Sequence, residues 1–158
     1  HQQRLIDGCE ARHVPVVRIF HVEDQGHFAL ASGLVTTLRE LRMEPSVTIH
    51  KTVHSALEGS SLKSWLTARG IRRLIISGIR SEQCCETTTR HGFDSGYEVD
   101  YVTDATLTWA MKHPVSGKTY SAFDIKERCE LVLDGRFARV TTVQGALDAV
   151  DQRLAKAA

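Results

Sequence analysis

Cys84 is the residue of this sequence with the strongest claim to covalent chemistry. It closes Gly78-Ile79-Arg80-Ser81-Glu82-Gln83-Cys84, a stretch between an apolar run that reads as a buried strand and the helical pattern after it. Open α/β sheets place their ligand crevices at such strand-to-helix junctions. A thiol in the first turn of a helix meets backbone N–H groups and the positive end of the helix dipole, both of which favour thiolate over thiol. The same N–H groups can stabilise a developing oxyanion. Cys85, one residue on, must point elsewhere on a helix and reads as a core residue. Lys51 is the second candidate, because it ends the short apolar strand Val47-Thr48-Ile49-His50. There a long charged side chain projects into a crevice as readily as into solvent, and an ammonium beside a thiol lowers its pKa and can hold a substrate oxygen. Each residue also has a plainer reading, Cys84 as a small buried hydrophobe and Lys51 as an ordinary exposed lysine.

The elements that would position these side chains are legible in outline. Leu5, Ile6 and Cys9 repeat at helical spacing before Val14-Pro15-Val16-Val17-Arg18-Ile19-Phe20, a β-rich run with its proline near the start. A polar stretch from Glu23 to Gly33 reads as a loop, and Leu34, Leu38 and Leu41 as a short helix. Ser60 and Ser61 can cap a helix carrying Leu62, Trp65 and Leu66, with Gly70 as its stop. Arg73-Leu74-Ile75-Ile76-Ser77 is the buried strand before Gly78, and the helix from Cys84 to His91 is closed by Gly92. Glu98 to Val102 is the next strand, His113 to Gly117 a loop, and Ser121 to Leu133 a helix stopped by Asp134-Gly135. Phe137 to Thr141 is a last strand, followed by a helix with the apolar stripe Val143, Leu147, Val150 and Leu154. Strands separated by helices imply an α/β, Rossmann-like, doubly wound and mainly parallel sheet with helices on both faces.

Composition narrows the partners. At 158 residues and 42% hydrophobic content, residues 1–158 read as a single domain with one core. Lys and Arg number 20 against 19 Asp and Glu, so no net field draws in nucleic acid or an anionic membrane. No apolar run approaches the roughly 18 residues of a membrane span, and the expected partner is a small-molecule substrate. Cys9, Cys84, Cys85 and Cys129 are scattered without a disulfide framework, which points to a reducing cytoplasm.

Two longer motifs carry a resemblance. Lys51-Thr52-Val53-His54-Ser55-Ala56-Leu57-Glu58-Gly59-Ser60-Ser61-Leu62 resembles the isochorismatase-like stretch K-x-x-x-S-A-F-x-G-T-x-L, and Gly78 to Thr88 resembles G-x-x-T-x-x-C-V-x-x-T. The likeness runs on through Gly96-Tyr97-Glu98-Val99 and Asp104-Ala105 to Phe137-Ala138-Arg139-Val140. It implies Cys84 as nucleophile, with Lys51 and an Asp completing a triad that hydrolyses small amides or other linear C–N bonds through a thioester. It also implies an oxyanion hole from the backbone N–H groups of Arg80 and Cys84, a non-proline cis peptide at Ile79–Arg80, and a homo-oligomer such as a dimer or tetramer. Ser55, Leu57, Ser81 and Trp109 stand near the motifs and are expected to line the pocket, although Leu57 replaces what is often an aromatic residue and Ser81 what is often Thr.

The sequence departs from the family at one catalytic position. The Asp belongs to a first strand written L-x-x-I-D-x-Q, which nothing here matches; Asp7 falls on a helix and Asp24 in a loop. In the family's strand order, 3-2-1-4-5-6, that strand is central, between the strands at Val14 to Phe20 and Arg73 to Ser77. Its loss would leave unpaired edge groups costing on the order of 1–3 kcal/mol each. The chain also begins with His1 inside a helical pattern. A segment upstream of His1 is therefore expected.

No cofactor or metal is expected from these residues. Nicotinamidases within the family hold a metal after the first strand, but His50 and His54 lie on a strand-to-loop segment, and they and His21 and His27 read as ordinary polar histidines. Other readings are isochorismate-type vinyl-ether hydrolysis, which relies on the Asp rather than a thiol, a redox-sensing role for Cys84 and Cys85, and a non-catalytic scaffold. An intact mass of the natural protein above that of these 158 residues is the expected result for the upstream segment; an equal mass defeats it.

Overall fold

Within each sheet the main strands are joined through a helix or a long loop, so their ladders are parallel. The computed structural model describes residues 1–157, and these form two compact units, residues 1–71 with the C-terminal helix, and residues 72–142. In the first unit, β1 (Val17–His21) and β2 (Val47–Lys51) run parallel in register, from Val17 opposite Val47 to His21 opposite Lys51. Helix α1 (Gln2–Glu10) packs Leu5 and Cys9 inward and lies against the C-terminal helix, α5 (Val143–Ala157). Gly8 makes that approach possible, since a Cβ there would sit 2.4 Å from a Leu147 methyl carbon. The Arg12 guanidinium then pairs with Asp151 at 2.7 Å. Helix α2 (Leu62–Ala68) buries Leu62 and Leu66 and ends at Gly70, which takes φ +63°.

In the second unit β3 (Arg73–Ile79), β4 (Glu98–Leu107) and β7 (Arg139–Thr141) form a parallel sheet with β4 in the middle. Helix α3 (Glu86–Asp94) follows β3, and α4 (Ala122–Leu133) precedes β7. The carboxylate of Glu86, almost fully buried, bridges them. It accepts from Arg90 on its own helix and from Arg128 and the Cys129 thiol on α4. Burial, with the Glu86 charge beside it, pushes the Cys129 thiol up to about 12. The sheet has an ionic staple as well. Asp100 on β4, 1% exposed, accepts from Arg73 on β3 at 2.5 Å and from Arg139 on β7 at 2.8 Å.

The α/β class and the parallel ladders match the expectation, and several elements differ in detail. Residues 34–41 form no helix. A single 3-10 turn at Leu30–Ser32 ends at Gly33, and Leu34 and Leu38 stay exposed, so no apolar face exists to hold a helix down. The helix after β3 does not stop at Gly92, which is buried inside α3; it stops at Gly96, which adopts φ +85°. Residues 111–120 hold a hairpin, β5 (Met111–Lys112) and β6 (Thr119–Tyr120), around the expected loop. Among the described residues β1 pairs only with β2 and β3 only with β4, which leaves one edge of each. No described helix is long and apolar enough to cross a membrane.

Removing one member of a buried charge cluster strands the others, at roughly 3 kcal/mol or more. Asp100→Ala is therefore expected to lower unfolding stability by about 3 kcal/mol in urea denaturation, and Asp100→Asn, which keeps an acceptor, by less.

Candidate functional site

Cys84 sits in a five-residue π-helical turn, Ser81–Cys85, that joins β3 to α3. The turn is closed by the Cys85 N–H donating to the Arg80 carbonyl at 3.2 Å, five residues back. The helical run thus begins three residues before the expected start, and Cys84 lies in its first turn, where the dipole is positive. The peptide between Ile79 and Arg80 is cis, as the resemblance implied. Gly78, at φ +131° and beside a shift in the β3–β4 register, turns the chain out of the strand.

The two vicinal thiols part company. Cys85 is 4% exposed and packs in a core cluster with Tyr101, Cys129 and Leu133, whereas Cys84 is only half-buried. Among the described residues none of the four cysteines is in a disulfide. A redox pairing of Cys84 with Cys85 has nothing to favour it in this placement, because one sulfur is committed to the core.

The turn is bolted to β4 from beneath. The Tyr101 hydroxyl donates to the Ser81 carbonyl at 3.2 Å, and the Ser81 hydroxyl donates to Thr106 Oγ1 at 2.8 Å. The Thr106 hydroxyl in turn donates to the Thr103 carbonyl at 3.0 Å. Burial pushes the Tyr101 phenol up, so it remains a donor at neutral pH. Ser81, expected at the pocket wall, is fully buried with its hydroxyl in this chain. Above the turn, Arg80 lays its guanidinium on the Trp109 ring, with Cζ 3.9 Å from the centroid. One of its nitrogens is 2.8 Å from Glu82, an ion pair lying off the N–H direction, and 2.9 Å from the Met111 sulfur. Trp109 keeps more than half its surface exposed while carrying that cation.

Lys51 lies in the other unit, at the C-terminal end of β2, and its plain reading as an exposed lysine fails. It is 4% exposed. Its ammonium donates to the Val53 carbonyl at 2.9 Å and lies 3.3 Å from Nδ1 of His21. Burying an ammonium is costly unless polar groups surround it, so this lysine is held rather than merely attached. Ser55 and Leu57 follow it, both buried, with the Leu57 N–H donating to the Ser55 hydroxyl at 3.2 Å. Ser60 secures the segment by donating to the Ala56 carbonyl at 2.6 Å and accepting from the Leu62 N–H.

His21 was passed over as an ordinary polar residue. Its nearness to Lys51 follows from strand register, which spacing along the chain does not encode. Ending a strand at its C-terminal edge was the one signal available. Among the described residues no group of three His, Cys, Asp or Glu side chains could hold a metal ion. A surface cavity of about 450 Å³ between Gln3, Asp7 and Glu44, and another of about 520 Å³ beside Arg90 and Phe137, contain none of these residues.

Comparison with known proteins bears on the family and the fold. The isochorismatase domain family matches residues 2–144. An isochorismatase family protein of Bacillus subtilis, YrdC, is 30% identical over 78% of this chain and 62% of its own. Ureidoacrylate amidohydrolase RutB of Caulobacter segnis is 43% identical over 42% of this chain and 28% of its own. Nicotinamidase 3 of Arabidopsis thaliana is 35% identical over 41% of this chain and 33% of its own. The chain thus spans less than two thirds of these relatives. Among solved structures, an isochorismatase-type protein of Burkholderia xenovorans superposes with a TM-score of 0.82 at 29% identity, over 95% of this chain and 73% of its own. The cysteine hydrolase of Pseudomonas syringae pv. phaseolicola superposes at 0.85 with 24% identity, over 95% and 78%, which bears on the fold alone. With a family model covering most of its length and the thiol turn, cis peptide and buried lysine where its two motifs put them, this chain belongs to the isochorismatase family.

Proposed function

We propose that the chain carries part of a cysteine-dependent hydrolase that cleaves a small amide, or another linear C–N bond, through a thioester. The observation that carries this reading is the contrast between the two thiols: Cys84 half-buried on a turn tied to β4, Cys85 sealed in the core. In the reaction the Cys84 sulfur attacks the carbonyl carbon and forms a C–S bond as the C–N bond breaks. Nitrogen leaves with a proton as ammonia or an amine, and water then cleaves the thioester to a carboxylic acid and the thiol. Backbone N–H groups of Arg80 and Cys84 are assigned to the oxyanion, and Lys51 to the ammonium of the same reaction.

Support for a C–N bond comes from relatives named for it, the amidohydrolase RutB and nicotinamidase 3. Support for a thiol mechanism over vinyl-ether hydrolysis comes from the build of the Cys84 turn. Trp109, half-exposed under the Arg80 cation, is assigned to substrate contact, and so are Ser55 and Leu57 from their places in the first motif.

Ammonia release from a panel of small amides tests the reading. Cys84→Ala is expected to lower turnover roughly 10³-fold or more, while Cys85→Ser retains most of it; the reverse pattern moves the nucleophile by one residue. Iodoacetamide should label Cys84 faster than Cys85 in peptide mass spectrometry. Equal slow labelling of both removes the activated thiol.

A further inference from the structure

The geometry points to His21 as a positioning residue that holds the Lys51 ammonium through an unprotonated Nδ1. This rests on the reading above, in which Lys51 serves the reaction. His21 and Lys51 end two parallel strands and are paired residue for residue, so their side chains rise from the same face. The Val22 N–H continues the ladder to the Lys51 carbonyl at 2.8 Å, which locks that register to the last residue.

An ammonium only donates, so a ring nitrogen 3.3 Å from Nζ must carry a lone pair. The ring proton is then on Nε2, which lies 3.7 Å from the Glu23 carboxylate, a group that favours a proton there. Phe28 meets the ring edge-on with centroids 6.0 Å apart, and the His54 ring is 6.3 Å away. Lys51 and Glu23 are thus the charged groups facing His21, with His54 the other titratable neighbour. Exposure rises along the series: Lys51 is 4% exposed, the His21 side chain 27% and the Glu23 side chain 54%. His21 is therefore the link between a buried cation and a solvent-facing carboxylate. A second proton on the ring would set a positive charge against Lys51 and abolish the contact.

Long-range proton–nitrogen NMR of the full chain at neutral pH tests the contact directly. A bare Nδ1 with the proton on Nε2 is expected, and its Nδ1 signal should move in Lys51→Met; a proton on Nδ1, or an unmoved signal, overturns the inference. In the natural protein that carries these residues, on an amide it hydrolyses, His21→Leu is expected to lower kcat about 10-fold or more with KM within about 3-fold. His21→Asn, whose Oδ1 takes the place of Nδ1 as acceptor, should stay within about 3-fold of the unaltered chain. Equal loss in both variants, or loss in neither, overturns it. If no amide is hydrolysed by the natural protein that carries these residues, the proposed function fails, while the NMR result still decides whether His21 holds Lys51.

Discussion

Everything at the thiol turn depends on how β4 is anchored. A five-residue turn with its ladder stretched to an i→i+5 bond is short of regular support, and two hydrogen bonds from β4 supply it, from Tyr101 to the Ser81 carbonyl and from Ser81 to Thr106. These bonds are buried, so leaving either partner unmade costs the full desolvation of a polar group, on the order of 1–3 kcal/mol. That penalty makes the turn's position nearly obligatory once β4 is in the sheet. At the other end of β4, Asp100 ties the strand to both neighbours through two arginines. The strand is pinned near its start by the Asp100 charge and the Tyr101 hydroxyl and near its end by Thr106, with Cys84 carried on the consequence.

Vicinal cysteines show how helical geometry sorts chemistry from packing. Successive residues on a helix point about 100° apart, so a turn that seats Cys85 against Tyr101 and Leu133 must direct Cys84 away from that cluster. The core cluster therefore determines which sulfur is available. Cys129, in the same cluster, shows the opposite condition: buried and beside the Glu86 carboxylate, its thiol is held protonated and inert.

In the first unit a different constraint does comparable service. Parallel pairing of β1 and β2 brings a histidine and a lysine thirty residues apart to one edge, where the lysine is nearly sealed from water. A cation there needs oriented acceptors, and the Val53 carbonyl and the His21 ring provide two of them.

Much of this was legible in residue types and spacing. The order of helices and strands and the stop at Gly70 express local rules of hydrophobic period and helix ends, and the motifs around Lys51 and Cys84 carry the resemblance that implied the cis peptide. Local rules failed where burial decided. Leu34, Leu38 and Leu41 have helical spacing but Leu34 and Leu38 find no surface to pack on, Gly92 is itself buried inside a helix that runs on to Asp94, and Ser81 serves the interior instead of a pocket wall. The partnership of His21 with Lys51, the Asp100 staple and the Arg80 stack on Trp109 each join residues distant in sequence. The chain by itself determined which groups could react; strand register and core packing decided which of them meet, because distance along a sequence carries no information about the register of parallel strands.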